Sequence, residues 1–478
     1  MSQVTKRVVL SSLIWKFMER GSAQLVSFVV SLVLARLLGP ADYGLVSLVL
    51  VFTTISLVLV QGGFNSALVQ KRNASDLDYS SVLAFSFGVA LLCYVILFIA
   101  APAVANFYGN PEVTAILRVM ALVLLPGAYN SVQVAYAEKS FQFKKLFIAN
   151  LSTSLGSGVL GIALAFGGAG VWALVAQQLG NQFIICIVLV VTLRWRPKIG
   201  LSVRSIKKLF SFGANVFIGD LLVQIFLNLR NLIVGKLFDE TTLGLFNRGN
   251  QFPSSIMTAI TGSLQQVMLP TFSDVQTARD RVLSITRRSV QASCLAFFPL
   301  MIGLASIATP LVRLLLGDAW LGCIPYLQIF AISYYFHPMQ IITAQAMRGL
   351  GDSKTTLKIE IVRKTAELGF MFASIPLGPL ALAASSIVAG LVSFIVALVP
   401  NVIILNYTLK EQLHDITGPL VGSVIMGLCL AIVALLPLPD FILLALQILI
   451  GGGIYLLLEW VFKQPTLRMA IAELRKKS

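Results

Sequence analysis

The sequence predicts an all-α integral membrane protein, and three observations lead to this fold class. Hydrophobic residues make up 57% of the 478-residue chain, charged residues make up only 12%, and the mean hydropathy is +0.88. An ordinary soluble domain carries about 25% charged residues. The apolar runs reach the ~20 residues that a membrane-crossing helix needs, which is longer than the strands of an outer-membrane barrel. This composition excludes a soluble enzyme, a disordered chain and a disulfide scaffold.

Fourteen apolar segments are long enough to be transmembrane helices. They lie at 10–37, 43–60, 80–102, 113–135, 147–167, 170–192, 210–235, 243–268, 290–314, 321–347, 357–377, 379–405, 417–436 and 441–462. Two adjacent pairs are separated only by Gly/Pro-containing breaks, at 167–170 and 376–379, and each break predicts a tight turn. The first segment does not resemble a cleavable signal peptide, because it is too long and contains charged residues.

The distribution of lysine and arginine supports this count and predicts the orientation. The intervening segments on one side hold 28 of the 36 basic residues, those on the other side hold three, and five lie within spans. Cytoplasmic segments of membrane proteins are enriched in basic residues. We therefore expect both termini to be cytoplasmic. The same bias accounts for the net charge of +16 without nucleic acid as a partner.

A weak internal repeat relates the two halves of the chain at an offset of 200 residues. Gln24 aligns with Gln224, Arg36 with Lys236, and the pair at 44–45 with the pair at 244–245. Six predicted helices lie between the copies, so both copies enter the membrane in the same direction. Such parallel repeats are typical of transporters with a site at the bilayer midplane, although gene duplication without transport is the alternative. The predicted domains are six-helix bundles at 1–200 and 201–405, followed by two helices and a basic tail at 406–478.

Polar and charged side chains recur at steps of three or four residues on the first pairs of helices of the two halves, and they predict a hydrated cavity. The candidates for binding substrate there are Lys16, Arg20, Gln24, Gln224, Asn228, Arg230, Arg248 and Gln251. The candidates for gating or ion coupling are Glu19 and Asp220.

These candidates also have structural explanations. Lys16, Arg20 and Arg248 lie near predicted helix ends, where long cationic side chains can extend to lipid headgroups. Asp220 and Arg230 can pair with charges on other helices, and amide side chains can join helices by hydrogen bonds. The repetition of the pattern on matched helices favours the cavity.

The chemistry of the cavity favours an anionic, hydroxyl-rich substrate. Arginine and lysine bind phosphate, and amide side chains suit sugar hydroxyls. Aromatic residues that either stack on sugars or pack the core are Phe226, Tyr334, Tyr335 and Phe336. The sequence shows no catalytic motif and no nucleotide-binding loop, and it holds only two histidines, so it predicts neither enzyme activity nor a cofactor or metal.

Five blocks of sequence resemble those of polysaccharide exporters. They read ARLLGPADYGLVSL at 35–48, AEKSFQFKKL at 137–146, LGLFNRGNQFPSSI at 243–256, VMLPTFSDVQ at 267–276 and LLLGDAWLGCIPYLQI at 314–329. The chain therefore resembles the Wzx-type branch of the MOP (MATE/polysaccharide/oligosaccharidyl-lipid) superfamily, which also includes MurJ-like proteins. Within that branch the last four blocks resemble the group of the colanic-acid exporter.

The resemblance implies a flippase that moves an undecaprenyl-pyrophosphate-linked oligosaccharide repeat unit across the inner membrane, for exopolysaccharide, capsule or O-antigen synthesis. It implies two six-helix bundles that form a V and work by alternating access, with a polysaccharide polymerase and a chain-length regulator as possible partners. It also implies that basic residues of the cavity hold the pyrophosphate, and Lys16, Arg20, Arg230 and Arg248 are the candidates by position.

Two alternatives remain. In drug-exporting relatives an acidic residue of the first helix binds the coupling cation, and Glu19 is the nearest equivalent, although Lys16 and Arg20 flank it. A MATE-like cation-coupled antiporter is therefore the alternative function. A membrane enzyme such as a repeat-unit polymerase would need a large outside loop, and the predicted outside loops are short.

Overall fold

The structure, a computed structural model, describes residues 23–193, 195–198, 200–275 and 278–462. The regular elements in these residues are all helices, and no strand occurs among them. The predicted all-α fold class is therefore confirmed. The chain divides into two compact units, Met1–Gly244 (unit 1) and Leu245–Ser478 (unit 2). The predicted boundaries at 200 and 405 stay a prediction.

Unit 1 contains nine helices among the described residues, and a tenth helix begins in it. They are α1 (Ala23–Leu37), α2 (Pro40–Gln61), α3 (Phe64–Gln70), α4 (Asp76–Tyr108), α5 (Glu112–Met120), α6 (Leu124–Lys139), α7 (Phe143–Phe166), α8 (Val171–Thr192), α9 (Val203–Leu237) and α10 (Glu240–Asp274). One buried cluster of its described residues joins side chains of α1, α2, α4, α5, α7 and α8, among them Leu34, Val49 and Leu117.

Unit 2 holds most of α10 and eight further helices among the described residues. These are α11 (Arg279–Ser306), α12 (Ala308–Leu315), α13 (Ile324–Tyr334), α14 (His337–Gly349), α15 (Ser353–Ser374), α16 (Pro379–Leu405), α17 (Leu409–Val433) and α18 (Asp440–Val461). Its core is rich in aromatic residues, including Phe272, Phe297 and Phe298, which are fully buried.

Eleven helical segments of the described chain are long and apolar enough to cross a membrane, so the protein is a multi-pass membrane protein. Three predicted spans do not add to this number. The first is described only from Ala23, and α10 and α15 carry many charged or amide side chains. In α15 the charges form ion pairs one turn apart, Arg363 with Glu360 and Lys364 with Glu367, each at 2.9 Å. The count of fourteen stays a prediction.

The two predicted tight turns are confirmed. Helix α7 ends at Phe166 and α8 begins at Val171, with Gly168 and Gly170 between them at φ of +78° and +55°. Before α16, a short 3₁₀ segment (Ile375–Leu377) leads to Gly378, whose φ is +96°. Such positive φ values favour glycine, which lacks the Cβ that makes this region costly.

Three spans that we expected to be single helices are interrupted, and each interruption lies four residues before a proline. Helix α11 ends at Ser306 and is followed by Pro310, and α13 ends at Tyr334 and is followed by Pro338. Between α5 and α6 lies a 3₁₀ segment, Ala121–Val123, and its middle residue is four residues before Pro126. Proline has no N–H to donate to the carbonyl four residues earlier. The loss of that hydrogen bond weakens the helix at each of these points, whereas Pro102, Pro299, Pro400 and Pro419 lie inside helices that continue through them.

Candidate functional site

The internal repeat is visible in the helix ends of unit 1. Helix α1 ends at Leu37 and α9 ends at Leu237, while α2 begins at Pro40 and α10 begins at Glu240. All four ends therefore follow the 200-residue register predicted from the sequence. This agreement locates the two matched helix–turn–helix segments that carry the candidate residues.

The matched helix starts touch through two glycines, and we call this contact the glycine crossing. A Cβ atom on Gly44 would lie 1.8 Å from the carbonyl oxygen of Glu240. A Cβ atom on Gly244 would lie 1.9 Å from the carbonyl oxygen of Pro40. Neither distance is sterically possible, so only glycine fits at both positions. The contact is reciprocal, because each glycine faces the first residue of the other copy's helix.

Carboxylates hold both helix starts of the glycine crossing. Asp42 Oδ2 accepts a hydrogen bond from the backbone N–H of Gly39 (3.0 Å), and Asp239 Oδ1 accepts one from the N–H of Thr242 (2.7 Å). Hydrogen bonds from Thr242 stabilise the ionised form of Asp239 and lower its pKa. Asn110 donates to the Glu240 carboxylate at 2.9 Å, which ties α10 to the turn between α4 and α5.

Helix α9 carries four of the predicted site residues. Asp220 lies at the midpoint of Val203–Leu237 and is exposed, and none of the ion pairs among the described residues includes it. Asn228 is buried and donates to the Gln224 backbone carbonyl at 2.9 Å, one turn earlier. Arg230 is partly buried. Asp220 and Arg230 are ten residues apart, or about 15 Å along the helix, so they do not form a pair with each other.

Helix α1 supports the predicted stripe only in part. Lys16, Glu19 and Arg20 lie outside the described residues. Gln24 is exposed at the start of the described helix. Ser27, three residues after Gln24, donates to Ser154 Oγ of α7 at 3.4 Å, so this part of α1 faces a neighbouring helix of unit 1.

Arg248 of α10 is held inside unit 2. Its side chain is 3% exposed, its Nη1 donates to Gln251 Oε1, and its guanidinium carbon lies 5.2 Å from the ring centre of the fully buried Trp320. Gly249 allows this approach, because a Cβ there would lie 2.8 Å from the Cys323 carbonyl oxygen. Two predicted site residues, Arg248 and Gln251, are thus brought together. A lipid-headgroup contact does not suit a cation buried to this degree.

Two of the aromatic candidates pack in the core. The Tyr335 ring stacks on Phe298 with centroids 4.0 Å apart, and Phe336 stacks on Phe394 at 4.4 Å. These contacts agree with the packing interpretation of both residues. Tyr334 differs, because its hydroxyl donates to Asn250 Oδ1 of α10 at 3.0 Å.

The sequence reasoning missed a polar network between α11 and α17. Arg287 donates from Nε and Nη2 to the two oxygens of Asp415 (2.8 and 3.2 Å) and from Nη1 to Glu411 (3.1 Å). Gln291 and the Tyr407 hydroxyl also donate to Asp415, at 2.9 and 2.6 Å. The only local signal was Glu411, which together with Thr408 forms the capping box of α17. No feature of the sequence near Asp415 identified Arg287, 128 residues earlier, as its partner.

The apolar helices define a multi-pass membrane protein, and α10 carries a buried cation within it. The chain belongs to the family described as polysaccharide biosynthesis proteins, which matches residues 33–325, more than half of its length. It is 23% identical over 367 residues to the succinoglycan biosynthesis transport protein ExoT of Rhizobium meliloti (strain 1021), covering 77% of this chain and 74% of that protein.

Solved structures show the same fold. The lipid II flippase MurJ in an inward closed conformation superimposes with a TM-score of 0.75 at 14% identity, covering 94% of this chain and 98% of MurJ. An inward-facing multidrug resistance MATE family transporter of the MOP superfamily gives a TM-score of 0.59 at 16% identity, covering 81% and 96%. The predicted membership of the polysaccharide exporters is confirmed by the family match, and the predicted fold is confirmed by the solved structures. The V-shaped cavity and the roles of the site residues stay predictions.

Proposed function

We propose that this protein translocates an undecaprenyl-pyrophosphate-linked oligosaccharide repeat unit across the bacterial inner membrane by alternating access. The observation that carries the proposal is the combination of a polysaccharide-biosynthesis family match with the fold of a lipid II flippase. A lipid-linked oligosaccharide joins a pyrophosphate, sugars and a long apolar tail. Its transporter needs buried cations and hydrogen-bonding groups within a membrane-spanning body.

Arg248 is the strongest candidate for holding the pyrophosphate. The guanidinium presents a planar set of donors that suits phosphate oxygens, and it lies against the ring of the buried Trp320. Together with Arg248, the proposed cations are Lys16, Arg20 and Arg230. The proposed sugar-binding groups are Gln24, Gln224, Asn228 and Gln251, and the proposed gating or coupling acids are Glu19 and Asp220.

The proposal includes cytoplasmic termini, since the basic residues of the chain are concentrated on one set of loops. A polysaccharide polymerase and a chain-length regulator are the proposed protein partners, because a flipped repeat unit must be polymerised on the far side of the membrane. We also propose that the protein carries out no covalent chemistry on its substrate.

The test is flipping in proteoliposomes with a defined undecaprenyl-pyrophosphate oligosaccharide. Arg248→Ala should abolish flipping while the protein still inserts, because losing a buried charged contact costs about 2–5 kcal/mol. Arg248→Lys should restore part of the rate, since it keeps the charge without the planar donor set. Arg313→Ala is the matched control, because Arg313 is exposed and pairs with Asp318 and Asp440. Wild-type flipping by Arg248→Ala would refute the role of this residue, and a wild-type protein that does not flip would refute the function.

A MATE-like cation-coupled antiporter of small molecules is the second candidate, supported by the similarity to the multidrug transporter fold. The buried cation of α10 favours an anionic substrate over the cationic drugs that an acidic cavity would bind. Efflux of a cationic dye by the reconstituted protein, without flipping, would favour this second function.

A further inference from the structure

One face of α18 is buried, and three of the five residues on it have polar side chains. Its buried residues recur at every fourth position, which places them on a single face of the helix. They are Leu443, Gln447, Gly451, Tyr455 and Glu459. The other faces carry exposed apolar side chains such as Leu449 and Leu457, as expected for a helix in lipid. The buried face ends in a carboxylic acid inside an otherwise apolar span.

Glu459 is completely buried, and neither carboxyl oxygen has a hydrogen-bond partner among the described residues. Helix α17 leaves room for this group at a glycine. A Cβ atom on Gly422 would lie 2.6 Å from Glu459 Oε1. The carboxyl therefore rests against the backbone of α17, in a space that any larger residue would fill.

The titratable groups around Glu459 are neutral ones. Tyr455 of the same helix donates to the Leu295 carbonyl of α11 at 2.8 Å. Tyr335 shares a 2.5 Å hydrogen bond with Ser423 of α17, and its neighbour on α11 is Cys294. None of these polar atoms is within hydrogen-bonding distance of the Glu459 carboxyl.

No ion pair among the described residues includes Glu459, and two of the cations on the helices that pack against α18 pair with other acids. On α12, Arg313 pairs with Asp440 at the opposite end of α18. On α11, Arg287 pairs with Asp415, which lies two turns before Gly422 on α17. Within the described segments, Glu459 therefore has no cation to neutralise it.

We propose that Glu459 is a proton-binding site that couples protonation to the packing of α18 against α17. An ionised carboxylate that is buried without a partner is strongly disfavoured, so in this packing the group must carry a proton. A metal cation is a poor alternative, because such ions need several ligands, and no cluster of three or more His, Cys, Asp or Glu side chains that could hold one occurs in the described part of the chain.

Release of the proton then requires a different packing. The carboxylate can ionise only when water or a cation reaches it, which means that α18 must move away from Gly422. Proton binding thus favours the closed packing and proton release favours the open one, as a two-state coupling requires. The coupling of this site to transport rests on the proposed function, and in that function the proton is the coupling ion.

Infrared spectroscopy of the purified protein tests the site without any transport substrate. Wild-type protein at pH 7 should show the C=O stretch of a protonated carboxylic acid, and this band should be lost at alkaline pH. Glu459→Gln should remove the band, whereas Glu112→Gln, an exposed acid in unit 1, should leave it unchanged. Gly422→Ala should weaken the band at pH 7, because the added methyl displaces the carboxyl toward water. A wild-type spectrum without the band, or a band that survives Glu459→Gln, would overturn the proposal.

The second measurement concerns coupling, in proteoliposomes that contain the lipid-linked oligosaccharide. A pH gradient should accelerate flipping by the wild type. In Glu459→Gln the ratio of the rates with and without the gradient should fall to one, because glutamine cannot release a proton. Acceleration by a sodium gradient alone, or an unchanged response in Glu459→Gln, would overturn the coupling. A protein that shows the infrared band but no flipping would refute the proposed function and leave the proton site supported.

Discussion

Replacing Gly44 by alanine tests the glycine crossing directly. The new Cβ would lie 1.8 Å from the Glu240 carbonyl oxygen, whereas real Cβ contacts are not shorter than 3.0 Å. The obstacle is backbone and not a flexible side chain, so no rotamer change can relieve it. The start of α10 must therefore move away from α2 by more than an ångström.

The expected loss follows from two opposing effects. Overpacking a tightly packed contact costs about 1–3 kcal/mol, and a backbone obstacle belongs at the upper end of this range. Alanine in place of a helical glycine returns about 1 kcal/mol. We therefore expect Gly44→Ala to lower the free energy of unfolding by about 2 kcal/mol. Gly244→Ala should cost a similar amount, because its Cβ would lie 1.9 Å from the Pro40 carbonyl oxygen.

The assay is reversible unfolding by SDS in mixed micelles, with Gly88→Ala as the matched control. Gly88 lies inside α4, and a Cβ there would meet nothing within 4 Å. This control should gain up to about 1 kcal/mol from helix propensity. It separates the effect of the contact from the general effect of exchanging glycine for alanine.

The double variant sharpens the test. Once Gly44→Ala has separated the two helix starts, Gly244→Ala meets less resistance, so the combined loss should fall short of the sum by about 1 kcal/mol. Full additivity would mean that the two glycines do not share one contact. A Gly44→Ala protein as stable as the Gly88→Ala control would refute the steric argument altogether.

Two further predictions concern α17 and the orientation in the membrane. Asp415→Ala should lower the free energy of unfolding by about 2–3 kcal/mol in the same SDS assay. This loss is smaller than that of a fully buried pair, because the Arg287 side chain is one-third exposed. Glu411→Gln should have no measurable effect. An unchanged Asp415→Ala protein would contradict the importance of this network. Reporter fusions at Lys198 and at the C-terminus should both give cytoplasmic signals, and a periplasmic signal at either would overturn the predicted topology.

The sequence was sufficient for the fold class and for the register of the repeat. Both depend on patterns that are local or that recur, namely apolar runs and matching residues at a fixed offset. The interrupted spans were missed because hydropathy does not register the missing N–H of Pro126, Pro310 or Pro338. These prolines were visible in the sequence, but a proline alone does not predict a break, because others such as Pro102 and Pro400 lie inside continuous helices.

The contacts between distant residues were not predictable in the same way. Gly44 and Gly244 were recognised as equivalent, yet equivalence does not imply that they touch. Asp415 has no local feature that identifies Arg287 as its partner. Glu459 was detectable, since an acid within the apolar segment 441–462 is unusual in itself, but the sequence does not show that its carboxyl lacks a partner.

The network between α11 and α17 also has a consequence for the order of events during synthesis. Arg287 must wait until 128 further residues have been made before Asp415 exists to neutralise it. At bacterial elongation speeds of about 5–20 residues per second, this interval is on the order of ten seconds. During that time Arg287 has no Asp415 to pair with, so the contact between α11 and α17 can form only after α17 has been made. An early helix therefore reaches its final packing only when a late one arrives.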